Sequence, residues 1–157
     1  MNVHIRKATI RDLPELTEMS AALIRSDAQF DDALTDRWSY DEEGQKYLKK
    51  RIRGRKGICF VAEIDGKVVG YATGALLSIE NWRPVSRAEL DNLYVSGEYR
   101  SKGVGASLIG AFIEWSKEKK VDRVVLHAVA QNEQAVSFYQ RNSFVPQHLI
   151  FETILKK

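Results

Sequence analysis

The apolar residues of the N-terminal third change from a two-residue to a three- or four-residue spacing. Polarity alternates over residues 3–8, which predicts a half-buried strand. From Asp12 to about Ser26 the helical spacing takes over, with Pro14 tolerated in the first turn. A second helix is predicted from about Tyr40 to Arg53, where Gly54 ends it.

The rest of the chain carries strand signals interrupted by two helical stretches. The apolar runs 58–64 and 67–77 flank Asp65-Gly66, a dipeptide typical of two-residue hairpin turns. The remaining predicted elements are a strand over 89–95, a helix over 103–119, a strand over 123–129, a helix over 133–142 and a strand over 145–155, interrupted near Pro146.

The predicted order is therefore β-α-α-β-β-β-α-β-α-β. Helices lie in the crossovers after residue 88, so the order predicts an α/β (α+β) fold with a mixed sheet and helices on both faces. The 157 residues suit one domain, and neither a repeat nor a linker divides them. We expect a single domain over 1–157.

Composition and charge narrow the function classes only slightly. The chain is 44% hydrophobic and 29% charged, with a net charge of +3. This weak positive charge does not indicate nucleic acid as a partner. Six of the eight residues 49–56 are basic, which suits the C-terminal end of a helix, where cations favour the dipole.

Cysteine content and hydropathy indicate a reducing, aqueous environment. Cys59 is the only cysteine, so an internal disulfide is excluded, and its apolar neighbours predict a buried, inert thiol. The first seven residues suit a strand better than a signal peptide, and no apolar run approaches membrane-spanning length. A cytoplasmic protein without a membrane partner is expected.

The segment 93–105 carries the clearest chemical signal. It predicts a strand, a polar loop and a helix N-terminus, where unpaired N–H groups and the helix dipole favour anions. Gly103 and Gly105 lack Cβ atoms, so a phosphate can approach the backbone, and Arg100 and Lys102 add positive charge. The segment predicts a pyrophosphate site.

Two common phosphate-binding motifs do not fit this segment. A Walker A loop requires Lys-Ser/Thr after its last glycine, but Ala106-Ser107 follow Gly105. A dinucleotide fingerprint requires a third glycine, where Leu108 stands. The spacing is instead Arg-x-x-Gly-x-Gly, starting at Arg100.

This spacing resembles the coenzyme-A-binding motif of the GNAT superfamily of N-acetyltransferases, Gln/Arg-x-x-Gly-x-Gly/Ala. Residues 132–144 resemble the family's Asn-x-x-Ala-x-x-Phe-Tyr segment, with Ser143 where glycine is commonest. The order of elements also fits from Val3 to Leu155. The resemblance implies a mostly antiparallel, mixed sheet of six to seven strands flanked by about four helices.

The resemblance also implies acetyl-CoA as co-substrate and direct attack of an amine on its thioester, with both substrates bound. In the family the cofactor strand leaves the next strand at a bulge, so Leu93 and Val95 would act through their backbone atoms. Asn132 suits both a helix N-cap and a contact to the pantetheine arm. The expected cofactor-binding residues are Leu93, Tyr94, Val95, Arg100, Ser101, Lys102, Gly103, Val104, Gly105, Asn132 and Phe138.

Three side chains stand at positions that the resemblance associates with catalysis. Tyr139 is the expected acid, because a phenol is protonated at neutral pH; the alternative is ring packing. Asp91 and Glu89 lie two apart on one strand face and are the expected bases, usually acting through water; the alternative is an exposed face. His127 stands in an apolar run and is interpreted as a core residue.

The acceptor would lie, by the same resemblance, between segments 27–43 and 78–87. The first segment holds seven acidic residues against one basic residue, which suits a cationic amine or simply a solvated face. Trp38, Tyr40 and Trp82 could stack on the acceptor. We expect a small cationic amine, such as a polyamine or aminoglycoside, with a protein amine as the alternative, and the family allows a homodimer.

Two other function classes compete with an acetyltransferase. The same fold could bind acyl-CoA as a sensor without catalysis, although Tyr139 and the paired acids argue against this. A nucleotide-phosphate enzyme is disfavoured, because the chain lacks both the Lys-Ser/Thr pair and a metal-binding carboxylate cluster. No metal is expected.

Overall fold

The computed structural model describes residues 1–156 and divides into two compact units, Met1–His127 and a unit that begins at Ala128. The second unit contains helix α4 (Glu133–Arg141). Short 3-10 turns occur at Ile10–Asp12, Asp36–Ser39 and Gly97–Tyr99. The first unit contains β1 (His4–Lys7), α1 (Leu13–Asp27), α2 (Glu42–Arg53), β2 (Gly57–Ile64), β3 (Lys67–Leu76), β4 (Arg87–Val95), α3 (Val104–Glu118) and β5 (Arg123–Leu126).

The five strands of the first unit form one sheet in the order β1-β2-β3-β4-β5. The first three pairings are antiparallel, and β4 pairs with β5 in parallel through the α3 crossover. Asp65 and Gly66 have φ values of 50° and 77°, the left-handed conformations that a two-residue hairpin turn requires. The predicted hairpin and the mostly antiparallel, mixed sheet are confirmed.

Helices cover both faces of this sheet. On one face, Tyr71 of β3 packs in a buried cluster with Leu16 of α1 and Leu48 of α2. On the other face, a Cβ atom added at Gly74 would overlap the ring of Phe112 from α3. The α3 ring therefore packs directly on the β3 backbone, which fixes the helix that follows β4 against the sheet.

The prediction of six to seven strands was wrong, because the sheet has five. The expected strand over 145–155 is absent from the described residues. A strand requires backbone hydrogen bonds to a neighbouring strand, and residues 145–155 form no such ladder with any strand of residues 1–156. Pro146 also lacks the N–H that a ladder requires. The expected four helices are present.

Two further expectations concern Cys59 and the membrane. Cys59 is buried in β2, so its predicted burial is confirmed, and burial raises the pKa of its thiol to about 12. Among residues 1–156, the helices are too short or too polar to cross a bilayer.

Candidate functional site

Strand β4 contains a bulge at Asp91. Thr73 of β3 pairs with Asn92 and Gly74 pairs with Leu90, so Asp91 is the extra residue between them. A bulge turns neighbouring side chains toward the same face. As a result, Asp91 Oδ2 and Asn92 Nδ2 both contact the hydroxyl of Tyr47, at 2.8 and 2.9 Å.

These contacts belong to a network that joins α2 to the bulge. Arg51 Nε donates to Asp91 Oδ2 over 2.6 Å, and its guanidinium lies 4.7 Å from the centre of the Tyr47 ring. The Tyr47 hydroxyl has one proton, which it donates to Asp91, so it accepts from Asn92 and from Thr73 at 3.0 Å. Burial, reinforced by the charge of Asp91, raises the pKa of Tyr47, which keeps this donor protonated.

The structure therefore places Asp91, an expected base, as the ion-pair partner of Arg51. Only 17% of its side chain is exposed. The four other members of the network were missed by the sequence analysis. Tyr47 and Arg51 share a helix face through their four-residue spacing, and Thr73 and Asn92 are polar positions inside apolar strands, which was the available signal.

Glu89, the second expected base, contacts a different partner. It lies opposite Ala75, on the same face of the sheet as Thr73. Its Oε1 lies 2.8 Å from Nδ1 of His127. The interpretation of His127 as a core residue was wrong, because 74% of its side chain is exposed. The apolar sequence around His127 led to the prediction of a strand over 123–129, whereas β5 ends one residue before His127, at Leu126.

The loop after β4 leads into a helix whose first turn has no side-chain cap. Gly103 occupies the N-cap position with a φ of 83°, a left-handed conformation that favours glycine. The first N–H groups of α3 have no partners within the helix. A Cβ atom at Gly103 would meet nothing within 4 Å, so the backbone here is open to a ligand. This geometry fits a diphosphate.

Basic side chains border this helix start. Arg100 Nε donates to the carbonyl of Val95 over 2.8 Å, and its guanidinium lies 5.7 Å from the centre of the Tyr94 ring. Lys102 Nζ lies 5.8 Å from the centre of the Tyr99 ring. Arg100 thus fixes the loop to the end of β4, and Arg100 and Lys102 supply positive charge beside the exposed amides.

Within the first unit, the side of β4 that pairs with β5 has no ladder partner beyond the bulge. The parallel ladder with β5 ends at the pair Leu90–Leu126. Leu93 and Val95 continue to pair with Ala72 and Gly70 on the other side. Within the first unit, the backbone groups on this edge of the strand are therefore available for hydrogen bonds to a ligand.

The second unit contains the other motif. Asn132 Oδ1 accepts from the amide of Ala135 over 3.1 Å, which confirms the predicted N-cap of α4. The Tyr139 ring lies 5.4 Å from Phe138 and 6.0 Å from Phe144, both in edge-on arrangements. The ring contacts with Phe138 and Phe144 therefore contribute to the packing of Tyr139 within this unit.

A cavity of about 720 Å³ lies on the α1–α2 side of the first unit. Two carboxylates line it, and Tyr40 donates to Glu18 Oε2 over 2.9 Å. Trp38 packs on Tyr47 instead, and Trp82 is exposed in the β3–β4 connection. The lining residues are Pro14, Glu15, Thr17, Glu18, Met19, Tyr40, Gln45, Lys67, Val68 and Ser96.

The acidic segment 27–43 contributes only Tyr40 to this lining. Asp36 pairs instead with Arg25 at 2.7 Å. The carboxylates at the cavity come from α1, which the sequence analysis had not assigned to the acceptor. Across residues 1–156, no group of three or more His, Cys, Asp or Glu side chains is arranged to hold a metal ion.

The sequence of residues 24–144 matches the family model described as the acetyltransferase (GNAT) family. This match covers more than half of the chain. The chain belongs to this family. The resemblance based on segments 100–105 and 132–144 is therefore confirmed.

Two curated relatives of this GNAT protein are named as acetyltransferases. An uncharacterized N-acetyltransferase from Methanocaldococcus jannaschii is 29% identical, over 93% of this chain and 62% of its own length. A spermidine N(1)-acetyltransferase from Thermoplasma acidophilum is 25% identical, over 92% of this chain and 89% of its own. The chain thus spans less than two thirds of the Methanocaldococcus protein.

A solved structure shares the fold. The acetyltransferase AAC(6')-Iy, in complex with the bisubstrate analogue CoA-S-monomethyl-acetylneamine, superimposes with a TM-score of 0.77 at 16% identity. The match covers 98% of this chain and 99% of that protein.

Proposed function

We propose that this GNAT protein transfers the acetyl group of acetyl-CoA to a primary amine of a small cationic molecule, with both substrates bound at once. The uncapped start of α3, on the loop that leaves β4, carries the proposal. Its open amides and basic border suit a diphosphate. We also infer a single acetyltransferase domain over 1–157, since the family match extends over both compact units.

Different groups of the chain would bind different parts of CoA. The amides of Gly103, Val104 and Gly105 would bind the diphosphate, with Arg100 and Lys102 adding charge. The β4 backbone at Leu93 and Val95 would hold the pantetheine arm. Acetyl-CoA, once bound, supplies the activated acetyl group. The remaining proposed contacts come from Tyr94, Ser101, Asn132 and Phe138.

The proposed proton transfers follow from the chemistry of an amine and a thioester. An alkylammonium must lose a proton before it attacks, which requires an acceptor such as Glu89 or Asp91. The departing thiolate needs a proton, which the hydroxyl of Tyr139 would donate. A backbone N–H of β4 would stabilise the negative charge on the thioester oxygen.

The cationic acceptor is supported by the α1–α2 cavity. Its two carboxylates, Glu15 and Glu18, would attract an alkylammonium group. The names of two similar proteins, which act on spermidine and an aminoglycoside, point in the same direction. Acetylation of a protein amine and binding of acyl-CoA without turnover are the alternatives.

A thiol-release assay tests the proposal. Acetyl-CoA is mixed with the protein and with polyamines, aminoglycosides, neutral amines or lysine-containing peptides, and free CoA thiol is measured. We expect release with the cationic small amines and loss of release in a Gly105→Glu variant. Release only with peptides would select the protein-amine alternative, and CoA binding without any release would select the sensor.

A further inference from the structure

Glu89 and His127 form a carboxylate–imidazole pair where β4 and β5 separate. Their contact, between Oε1 and Nδ1, measures 2.8 Å. The β4–β5 ladder ends at Leu90–Leu126, immediately before His127 on one strand and before the bulge at Asp91 on the other. The pair therefore lies at the point where the edge of β4 becomes available to a ligand.

The chemistry of this contact sets the proton positions on the imidazole. An ionised carboxylate can only accept hydrogen bonds, so Nδ1 of His127 carries the proton that it donates to Glu89. In the neutral ring Nε2 then keeps its lone pair and can accept a proton. The His127 side chain is 74% exposed, so an incoming amine can reach it.

We propose that His127 Nε2 accepts the proton of the acceptor ammonium group and that Glu89 positions the imidazole for this step. The inference rests on the proposed acetyl transfer and assigns its base. Glu89 thus acts through His127, and Asp91 serves to anchor the bulge to α2 through Arg51. The exposed imidazole and the register of the two strands favour this division of roles.

The protons and bonds balance as follows. His127 takes one proton from the ammonium group, which leaves a neutral amine. The amine nitrogen forms a bond to the acetyl carbon, and the carbon–sulfur bond of the thioester breaks. The amine nitrogen loses a second proton as the thiolate gains one. The products are an amide, CoA thiol and one proton, which His127 returns to solvent.

The acidic groups near the His127 imidazole bear on the pH profile expected for turnover. Glu89 contacts it from β4, and the next acid on that strand, Asp91, is paired with Arg51 from α2. Turnover should therefore rise with pH, because a general base accepts a proton only in its deprotonated form.

The test compares His127→Gln with the matched control His4→Gln, which removes an exposed imidazole at the start of β1. Turnover in the thiol-release assay should fall about 100-fold in His127→Gln. The rising limb of its pH profile should be lost, while CoA affinity by calorimetry stays unchanged. His4→Gln should match the parent in all three measurements.

Glu89→Gln tests the positioning role, because a glutamine amide can donate to Nδ1 and so favour the other tautomer. Its kcat should fall with little change in KM, and nitrogen NMR of His127 should report loss of the Nδ1–H tautomer. Parent-like kcat and pH profile in His127→Gln would overturn the inference while the proposed function stands. A parent protein that releases no thiol would overturn the proposed function itself.

Discussion

Arg51 Nε donates to Asp91 Oδ2 over 2.6 Å and thereby joins helix α2 to the extra residue of the β4 bulge. Both side chains are mostly buried, at 16% and 17% exposure, and Tyr47 contacts each of them. A bulge lacks a regular ladder partner, so side-chain contacts must hold its conformation. The ion pair is thus a structural support for the strand that leads into the proposed CoA site.

Removal of the guanidinium should destabilise the fold. Arg51→Met keeps much of the aliphatic length but leaves the Asp91 carboxylate without its ion-pair partner. A lost hydrogen bond to a charged, mostly buried group costs about 2 kcal/mol. Urea unfolding should show this decrease in the free energy of unfolding.

Arg25→Met is the control for this change. It removes the exposed Arg25–Asp36 pair, whose side chains are 53% and 35% exposed, so the expected stability loss is much smaller than that of Arg51→Met. Equal stability losses in the two variants would contradict the proposed support of the bulge.

Gly74→Ala should also destabilise the protein. The added Cβ would overlap the Phe112 ring and the Glu89 carbonyl, so α3 and β4 would both have to move. Overpacking of this kind costs about 1–3 kcal/mol. Gly97→Ala is the control, since its Cβ would meet nothing within 4 Å. Equal melting temperatures for the Gly74→Ala and Gly97→Ala proteins would contradict this prediction, because they would show that the α3–β3 contact accommodates the added methyl group.

Local signals in the sequence were sufficient for most elements of the fold. Asp65-Gly66 predicted its hairpin because both residues tolerate left-handed backbone conformations. The spacing from Arg100 to Gly105 predicted the uncapped helix start because the glycines are adjacent to the loop in the chain. These features depend on near neighbours in sequence.

The features that could not be predicted depend on distant neighbours. The bulge at Asp91 exists only in the register that pairs Gly74 with Leu90, and Tyr47 and Arg51 meet it from a helix 40 or more residues earlier. The exposure of His127 depends on where β5 ends. The run 145–155 is apolar enough for a strand, but a strand also needs a partner.

Tyr139→Phe tests the proposed acid. Removal of the hydroxyl leaves the ring contacts with Phe138 and Phe144 in place. We expect turnover to fall about 100-fold because the thiolate loses its proton donor, while CoA affinity is retained. Parent-like turnover, measured at saturating acetyl-CoA, would remove Tyr139 as the acid.

The free energy of unfolding should decrease at alkaline pH. Burial raises the pKa of Cys59 from about 9 in the unfolded chain to about 12 in the folded protein. The folded state therefore holds this proton more tightly, and its contribution is complete below pH 9 and decreases as pH rises toward 12. Unfolding measured at pH 8 and pH 10.5 should show a stability loss of about 2 kcal/mol from this group.

Cys59→Ala supplies the control for the alkaline loss. It should lower stability at pH 8, because it removes a buried side chain, but should show a smaller decrease between the two pH values. The residual slope would come from Tyr47 and Tyr71, whose pKa values burial also raises. An unchanged slope in Cys59→Ala would rule out a contribution from the thiol.

Calorimetric titration with CoA and with pantetheine, which lacks the diphosphate, tests the binding of CoA at the start of α3 most directly. We expect CoA to bind and pantetheine to bind far more weakly. Gly105→Glu should abolish CoA binding through bulk and like charge, whereas Gly110→Glu, an exposed change on the same helix, should retain it. No heat with CoA, or equal affinity for CoA and pantetheine, would contradict the account.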